Sequence, residues 1–310
     1  MNEKPYLQMA VLSLIIILFS TFDNNVILIF MHLLIVPWDV NPEILRLGSF
    51  AVRWYGLLFA SSFLFGYIIM NRIFKNENLK EEVLDRLTIY MAIGVVAGAR
   101  LGHCLFYEPS YYLKHPLEIL MIWHGGLASH GAAVGILTAV WLFARKEKKD
   151  FLWAIDRIAI VVALSGFFIR MGNLMNSEIY GVETTLPWGF VFLRNHEVAP
   201  KHPTQIYEGL AYLAIFFLLY RIYWSKKGEH IQGLLISLIC ILVFSARFLI
   251  EFVKEDQVAF EATMKMNMGQ MLSIPFILMG IAGLIWSVRR NKRAVIKTPH
   301  PPQGGAKSHA

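Results

Sequence analysis

The sequence predicts an all-α polytopic membrane protein with a core of seven transmembrane helices, a small extracytoplasmic head and, before the core, a hydrophobic segment that could form one extra helix. The composition is 56% hydrophobic and only 16% charged, whereas globular proteins carry about 25% charged residues. Apolar segments recur along the chain, each close to the roughly 20 residues that cross a 30 Å hydrocarbon core. Lysine and arginine are concentrated in alternate connections. These three observations define the fold class.

The seven apolar segments of the predicted core are separated by polar connections. They are Phe50–Met70, Leu87–Tyr107, Leu117–Phe143, Phe151–Ile169, Gln205–Trp224, Leu234–Phe252 and Met268–Val288. Each has about the length of a membrane-spanning helix. We therefore expect consecutive segments to cross the membrane in opposite directions.

Basic residues set the orientation of this core. They follow the odd-numbered segments, at Arg72, Lys75, Lys80, Arg145, Lys146, Lys148, Lys149, Arg221, Lys226, Lys227, Arg289, Arg290, Lys292, Arg293 and Lys297. Under the positive-inside rule these connections are cytoplasmic, so the core starts outside and ends inside. Topology and lipid headgroups thus account for the net charge of +7, and we expect no nucleic-acid partner.

This topology divides the chain into five parts. They are residues 1–37, an N-terminal hydrophobic segment; 38–170, transmembrane helices 1–4 of the core; 171–204, an extracytoplasmic head loop; 205–290, transmembrane helices 5–7; and 291–310, a disordered basic cytoplasmic tail. Two interpretations of the first part stay open: an extra membrane helix, or a misplaced start with Met31 as the true first residue. A loop as long as 171–204 is typical of a functional segment.

One polar stretch ends the fourth apolar segment. It contains Arg170, Asn173, Asn176, Glu178 and Gly181. Arginine carries a permanent charge on five fixed donors, and asparagine both donates and accepts hydrogen bonds. Taken alone, Arg170 fits a cation that snorkels to the headgroups. The complete cluster instead predicts an anion site at the membrane surface, because such groups are costly in lipid unless they face protein, water or a ligand.

Further polar residues are predicted to lie at the same depth, just under the outer surface. At 1.5 Å per residue, Arg247 lies roughly 20 Å along the sixth helix from its cytoplasmic end. The others at this depth are Tyr55, His130, His202, Gln205 and Glu208, with Glu251 one turn beyond Arg247. Singly, each has a structural explanation: an i, i+4 pair for Arg247 and Glu251, close helix packing around His130, a helix start for His202, and an interfacial anchor for Tyr55. Together they predict one site.

The sequence also bears on other function classes. Cys104 and Cys240 lie in apolar runs, so a disulfide framework or Cys-rich metal site is excluded, and the absence of His-Glu-x-x-His argues against a zincin-type protease. A transporter would place its site near the midplane between inverted repeats, which are not evident. A metal-dependent phosphatidyltransferase would need clustered aspartates, and these are scattered. A structural subunit without chemistry stays open as an alternative, as does the transporter.

From about Trp38 to Val288 the chain resembles the bacterial prolipoprotein diacylglyceryl transferases. The resemblance rests on ordered motifs: Trp54-Tyr55-Gly56, Gly125-Gly126 through His130-Gly131, the Arg-x-Gly-Asn-x-x-Asn-x-Glu-x-x-Gly run at Arg170–Gly181, His202–Glu208, Arg247–Phe252, and Met268-Gly269-Gln270 with Ser273 and Pro275. Ile169 and Ala132 stand where the family usually has glycine. Both departures affect local packing more than chemistry.

The resemblance implies transfer of the diacylglyceryl group of phosphatidylglycerol to the lipobox cysteine thiol of a prolipoprotein, with release of glycerol phosphate. It implies a multi-pass protein of the bacterial inner membrane, an active site near the outer leaflet, and no metal or cofactor; partners are phosphatidylglycerol, the prolipoprotein signal-peptide region and membrane lipids. By this analogy Arg170 and Arg247 bind the phosphate and His130 takes or orients the thiol proton. The expected substrate-binding residues are Tyr55, Asn173, Asn176, Glu178, Gly181, His202, Gln205, Glu208 and Glu251. Which group takes the thiol proton stays open.

Overall fold

A computed structural model describes residues 35–297, except residues 49, 123–124, 226–230, 257–260 and 262–263. The helices are α1 (Trp54–Asn76), α2 (Glu81–Phe106), α3 (Pro109–Tyr112), α4 (Ser129–Lys146), α5 (Phe151–Met175), α6 (Thr204–Ser225), α7 (Leu234–Ile250) and α8 (Met268–Lys297). The strands are β1 (Val36–Trp38), β2 (Glu43–Leu47), β3 (Phe50–Arg53) and β4 (Phe190–Phe192). The interpretations of residues 1–34 and of the tail from Thr298 lie outside the described residues.

The predicted all-α membrane class is confirmed. Within the described ranges, six helices are long and apolar enough to cross a membrane: α1, α2, α5, α6, α7 and α8. The helix that corresponds to the third predicted segment, α4, has 18 residues and is not among these six. Its crossing of the membrane therefore stays a prediction.

The third predicted segment, Leu117–Phe143, is wrong as a single helix. The chain forms a 3₁₀ helix at Pro116–Leu120 and starts α4 only at Ser129. Gly125 and Gly126 lie between them with φ values of +86° and +72°. This left-handed backbone is open to glycine at little cost and cannot continue an α-helix. The two glycines therefore separate the helices.

Other predicted boundaries also differ. Residues 50–53 form β3 instead of the start of the first helix, because they pair antiparallel with β2. Val36 and Pro37, predicted in the N-terminal hydrophobic segment, form a strand with Trp38 that pairs in parallel with β4. The helix of the fourth predicted segment, α5, continues through Met175, so Arg170 and Asn173 lie within its last turns. The last helix reaches Lys297, so residues 291–297 of the predicted disordered tail are helical.

Consecutive long helices run in opposite directions, so the bundle has two distinct ends. We define the head end as the one that holds the four strands and the first residues of α1, α4, α6 and α8. At the opposite, basic end, Arg157 pairs with Glu77 at 2.8 Å and Tyr223 donates to Glu77 at 2.9 Å. The Asp156 carboxylate accepts from the first amides of α7, including Gly233 at 2.7 Å. Buried polar contacts therefore join α1, α5, α6 and α7 at this end.

Small residues set the closest helix contact, between α2 and α4. Gly98 and Gly102 of α2 face Gly131 of α4, and a Cβ on any of the three would collide with the backbone of the other helix. Small-residue stripes allow this approach in membrane proteins. The first turn of α4 is thereby fixed against α2.

The residues between α5 and α6, which belong to the predicted head loop, contact β1 and the segment after α7. The Trp38 indole donates to the Leu174 carbonyl at 3.0 Å, which joins β1 to the last turn of α5. Lys201 is buried and lies 3.4 Å from Glu197 and 3.3 Å from Glu255. Burial alone lowers the pKa of Lys201, but these carboxylates outweigh it and the net pKa is raised. These contacts fix the path of the chain between α5 and α6.

Candidate active site

An ion pair between adjacent helices forms the centre of the candidate site. Arg170 of α5 and Glu208 of α6 lie 2.5 Å apart, Nε to Oε2, and the Glu208 side chain is 1% exposed. Tyr212, one turn further along α6, donates its hydroxyl to the same oxygen at 3.0 Å. Breaking such a buried pair leaves an uncompensated charge. The Arg170 guanidinium is therefore held in one place.

A lysine completes the coordination of Glu208. Lys254 follows α7, and its ammonium lies 3.2 Å from Glu208 Oε1 and 3.1 Å from Glu251 Oε2. Its side chain is 3% exposed. Glu208 thus receives charged donors on both oxygens, and Lys254 links α6 to the end of α7. Because a buried carboxylate needs such partners, Lys254 is part of the site.

A second set of contacts runs from Arg170 along the chain. Arg170 donates from Nη1 to Asn173 Oδ1 at 3.1 Å, and the Asn173 amide donates to Glu178 Oε1 at 2.7 Å. Asn176 donates to the same Glu178 oxygen at 3.3 Å. The spacing of the polar stretch is thus explained: a helical i, i+3 step joins Arg170 to Asn173, and the chain then turns back to bring in Glu178.

The turn that carries Glu178 has an unusual backbone. Ser177 and Ile179 have φ values of +57° and +62°, a region that a β-branched residue rarely adopts. Gln205 of α6 donates to the Glu178 carbonyl at 2.7 Å, and Thr204 donates to the Ile179 carbonyl at 2.9 Å. Strained backbone of this kind persists where surrounding contacts hold it, and it clusters at functional sites.

Two glycines allow neighbouring elements to pack closely around the site. A Cβ on Gly172 would lie 2.7 Å from the Tyr55 ring, so this ring of α1 packs directly on α5. Tyr55 is also within electrostatic range of Glu178 and Arg170. Gly181 donates its amide to the His202 carbonyl at 2.8 Å, and a Cβ there would collide with the Val253 carbonyl. Both glycines are needed for close approach of other elements.

Arg247 is the second arginine of the predicted site, in the last turn of α7. It lies within electrostatic range of Tyr212. Its Nε is buried and, among the described residues, has no hydrogen-bond partner. Glu251 pairs with Lys254 instead of Arg247, so the i, i+4 pair that is the structural alternative for Arg247 does not form. Gly269 makes room for the Glu251 carboxylate, which a Cβ there would displace.

The two histidines of the predicted site, His130 and His202, lie apart from this centre. His130 is exposed in the first turn of α4, with its ring 5.7 Å from that of Tyr107 and 5.6 Å from that of Phe106. Contacts between the described residues do not join it to Arg170. His202 Nδ1 lies 3.2 Å from the Tyr207 hydroxyl, which accepts from the Trp188 indole at 2.8 Å. Burial lowers the pKa of His202.

Formal charges in the centre balance. Arg170, Arg247 and Lys254 supply three cations, and Glu178, Glu208 and Glu251 supply three carboxylates. An anionic ligand that binds at Arg247 would therefore add one negative charge to a neutral cluster. Within the described part of the chain, no three or more His, Cys, Asp or Glu side chains are arranged to hold a metal ion.

Sequence reasoning missed Lys254 and Tyr212, which both contact Glu208, and Arg100, a buried arginine of α2. For Tyr212 a signal existed, because it lies one helical turn from Glu208. Arg100 is also intramembrane and ionisable, which is itself a reason to consider a function. Lys254 gave no such signal, because it lies in a charged run after α7.

Comparisons with known proteins agree on one family. The chain matches the family model of prolipoprotein diacylglyceryl transferase over residues 42–286. It is 49% identical over 257 residues to the phosphatidylglycerol–prolipoprotein diacylglyceryl transferase of Tolumonas auensis, covering 83% of this chain and 99% of that protein. Proteins of the same name from Chloroherpeton thalassium and Porphyromonas gingivalis are 45% and 42% identical, covering 82% of this chain in each case and 94% and 95% of the relatives.

Proposed function

This chain belongs to the prolipoprotein diacylglyceryl transferase family, and we propose that its centre around Arg170, Glu208 and Arg247 binds the phosphate of the lipid donor. The protein is a multi-pass membrane enzyme that transfers the diacylglyceryl group of phosphatidylglycerol to prolipoproteins. The membrane-transporter and non-catalytic alternatives are not supported.

The observation that carries the proposal is the unpartnered Nε of Arg247. A buried guanidinium donor without a partner among the described residues costs free energy unless a ligand supplies the acceptor. Phosphate oxygens fit this role, because a guanidinium binds them with charge-assisted and often bidentate hydrogen bonds. Arg170 is different, since Glu208 and Asn173 already engage two of its nitrogens. Arg247 is thus the primary phosphate ligand, and Arg170 is a fixed charge beside it.

The chemistry uses both charges. The prolipoprotein thiol loses its proton, its sulfur forms a bond to the glycerol C3 carbon of the diacylglyceryl group, and the bond from that carbon to the phosphate oxygen breaks. The electron pair of that bond leaves on glycerol phosphate. Donors aimed at the oxygen where charge develops stabilise the transition state. Fixed positions for Arg170 and Arg247 therefore matter more than their charge alone.

Thiol activation is the second part of the proposal. A reference pKa near 8.5 means that forming a thiolate at pH 7 costs about 2 kcal/mol. His130 takes or orients this proton on the acceptor cysteine of the lipobox. The ring is exposed at the head end of an apolar groove between α2 and α4, lined by Leu101, Leu105 and Val134 among others. A prolipoprotein segment in this groove would bring its thiol to His130.

An apolar cavity lies beside the helices that carry His130 and Arg170. It has a volume of about 280 Å³ and lies between α1, α2, α4 and α5. Ala132, two residues after His130, and Ile169, next to Arg170, both line it. A cavity of this character suits an acyl chain of the donor whose phosphate is held at Arg247. The loop charges support an outer-leaflet position for the head end of the bundle, under the positive-inside rule.

Peptide lipidation tests the proposed function. Purified protein in phosphatidylglycerol liposomes would be given a lipobox peptide, and the peptide mass would be measured. We expect the mass to rise by one diacylglyceryl group, and a peptide with serine in place of the lipobox cysteine to stay unmodified. An unchanged cysteine peptide in phosphatidylglycerol, with correctly folded protein, would contradict the function.

A further inference from the structure

Arg100 is a buried arginine that the transfer chemistry above does not use. It lies near the head end of α2 and is 3% exposed. Its guanidinium donates to four backbone carbonyls: those of Ile119 at 3.0 Å, Glu118 at 2.6 Å, Gly125 at 2.6 Å and Gly126 at 3.3 Å. Among the residues that the structure describes, no carboxylate pairs with it. This arginine therefore binds backbone from two sides of one loop.

Arginine is the side chain whose geometry provides donors for all four of these carbonyls. Its planar fork presents five donors in fixed directions, whereas a lysine offers a compact ammonium. The Tyr112 ring centroid lies 5.0 Å from the guanidinium carbon, which adds a cation–π contact. Because carbonyls buried from water need donors, removal of the fork would leave several of them unsatisfied. We expect the loop then to change its path.

The loop leads directly to His130. Ala128, one residue before α4, donates its amide to the Ala99 carbonyl at 2.9 Å, so α2 holds the backbone here as well. A Cβ on Gly126 would lie 2.5 Å from the His103 ring and 2.9 Å from Arg100 Nη1. The chain from Gly126 to the first turn of α4 thus has little freedom.

The last residue of α2 and the residue that follows it also contact the His130 ring. Phe106 and Tyr107 follow Arg100 by about two helical turns, and their rings flank His130. We infer that Arg100 is a positioning residue of the transferase, which fixes the backbone before α4 so that the His130 ring faces the acceptor thiol. The inference rests on the proposed role of His130.

A direct phosphate contact is a weaker explanation for Arg100. Three of its nitrogens already donate to carbonyls. The buried Nε of Arg247, by contrast, has no hydrogen-bond partner among the described residues. A guanidinium whose nitrogens already donate to carbonyls has few donors left for a phosphate. Arg100 therefore acts on the loop.

Hydrogen exchange tests the positioning without any use of activity. Arg100→Lys, Arg157→Lys and wild type would be compared as full-length protein in phosphatidylglycerol nanodiscs. Arg157 is a matched control, because it is a buried arginine at the basic end that donates to the Trp153 carbonyl. We expect faster exchange of amides 118–122 and 125–131 in Arg100→Lys alone. Unchanged exchange in this segment would overturn the inference, whatever the activity.

Kinetics test the link to His130. We expect Arg100→Lys to lower kcat by roughly 10- to 100-fold, as misplacement of a reacting group does, with KM for phosphatidylglycerol unchanged. Added to His130→Gln, the change should cost no further rate. Gly126→Ala serves if Arg100→Lys fails to fold, since it displaces the same loop and should give the same pattern. A multiplied loss in the double variant, or a normal kcat with faster exchange, would overturn the inference. A wild-type protein without any transferase activity would contradict the proposed function instead.

Discussion

Arg170 and Glu208 come from neighbouring antiparallel helices, and their charged groups meet at 2.5 Å in a contact almost closed to solvent. The pair lies where α5 and α6 both reach the head end. Lys254 binds the other carboxylate oxygen of Glu208. Since a buried ion pair is weak evidence for stability in itself, we interpret it as a device that fixes the Arg170 guanidinium.

Glu208→Gln should be strongly destabilising. The change leaves Arg170 and Lys254 without their shared carboxylate, and breaking a buried pair costs about 3–5 kcal/mol. The midpoint of thermal unfolding in nanodiscs measures this loss. Glu183→Gln is the control, because Glu183 is 71% exposed and lies 4.0 Å from Lys201. Equal stability of the two variants would show that the Glu208 carboxylate does not hold the cluster together.

Gly269→Ala should lower activity although no polar group is lost. The added methyl group would occupy the space of the Glu251 carboxylate, so Glu251 must move away from Lys254. We expect a loss of roughly 10-fold or more in kcat. Gly56→Ala is the matched control, because a Cβ there meets no atom within 4 Å. The prediction fails if both variants lipidate peptide at the wild-type rate with equal protein levels.

Acid should destabilise the head through His202. Burial lowers the pKa of His202 below its usual 6.5, so the unfolded chain binds this proton more readily than the folded one. Stability from the neutral ring is complete above about pH 6.5 and is lost as pH falls through the lowered folded-state pKa. His202→Gln should therefore show a smaller decrease in unfolding temperature between pH 7 and pH 5. His196→Gln, in the same head, controls for removal of a histidine. An identical pH dependence in wild type and His202→Gln would refute this role.

The orientation of the bundle can be tested by thiol labelling. The loop charges predict Lys148 in the cytoplasm and Thr184 outside. Cysteines at these two positions, in a background with Cys104 and Cys240 replaced, would be treated with a membrane-impermeant reagent in intact cells. Thr184→Cys should react and Lys148→Cys should react only after lysis. The reverse result would place the site at the inner leaflet.

Helix depth was the part of the site most accessible from sequence. Apolar segment lengths and a fixed rise per residue place Arg170 and Glu208 at one depth, and the structure brings them into contact. The contact between Asn173 and Glu178 is also local, since a single turn after α5 produces it. These relationships depend on spacing along one chain segment or along one axis.

Rotation about the helix axis could not be predicted in the same way. His130 was expected to join Arg170, but its ring faces the groove between α2 and α4. Depth leaves the direction of a side chain around its helix undetermined, and only packing against neighbours decides it. The break before α4 was missed because the apolar composition continues through Gly125 and Gly126. Lys254 was missed because a lysine among acidic residues is usually a solvated one.

The most direct test of the phosphate site is the rate of peptide lipidation in Arg247→Lys at saturating phosphatidylglycerol, with protein levels matched. Lysine keeps the charge and loses the planar fork, so one lost charge-assisted contact should cost about 1.5–3 kcal/mol, or roughly 10- to 150-fold in rate. Arg170→Lys should show a comparable loss through Glu208. Arg221→Lys, at an exposed arginine near the basic end of α6, should keep the wild-type rate. Wild-type rates in both Arg247→Lys and Arg170→Lys would contradict the account.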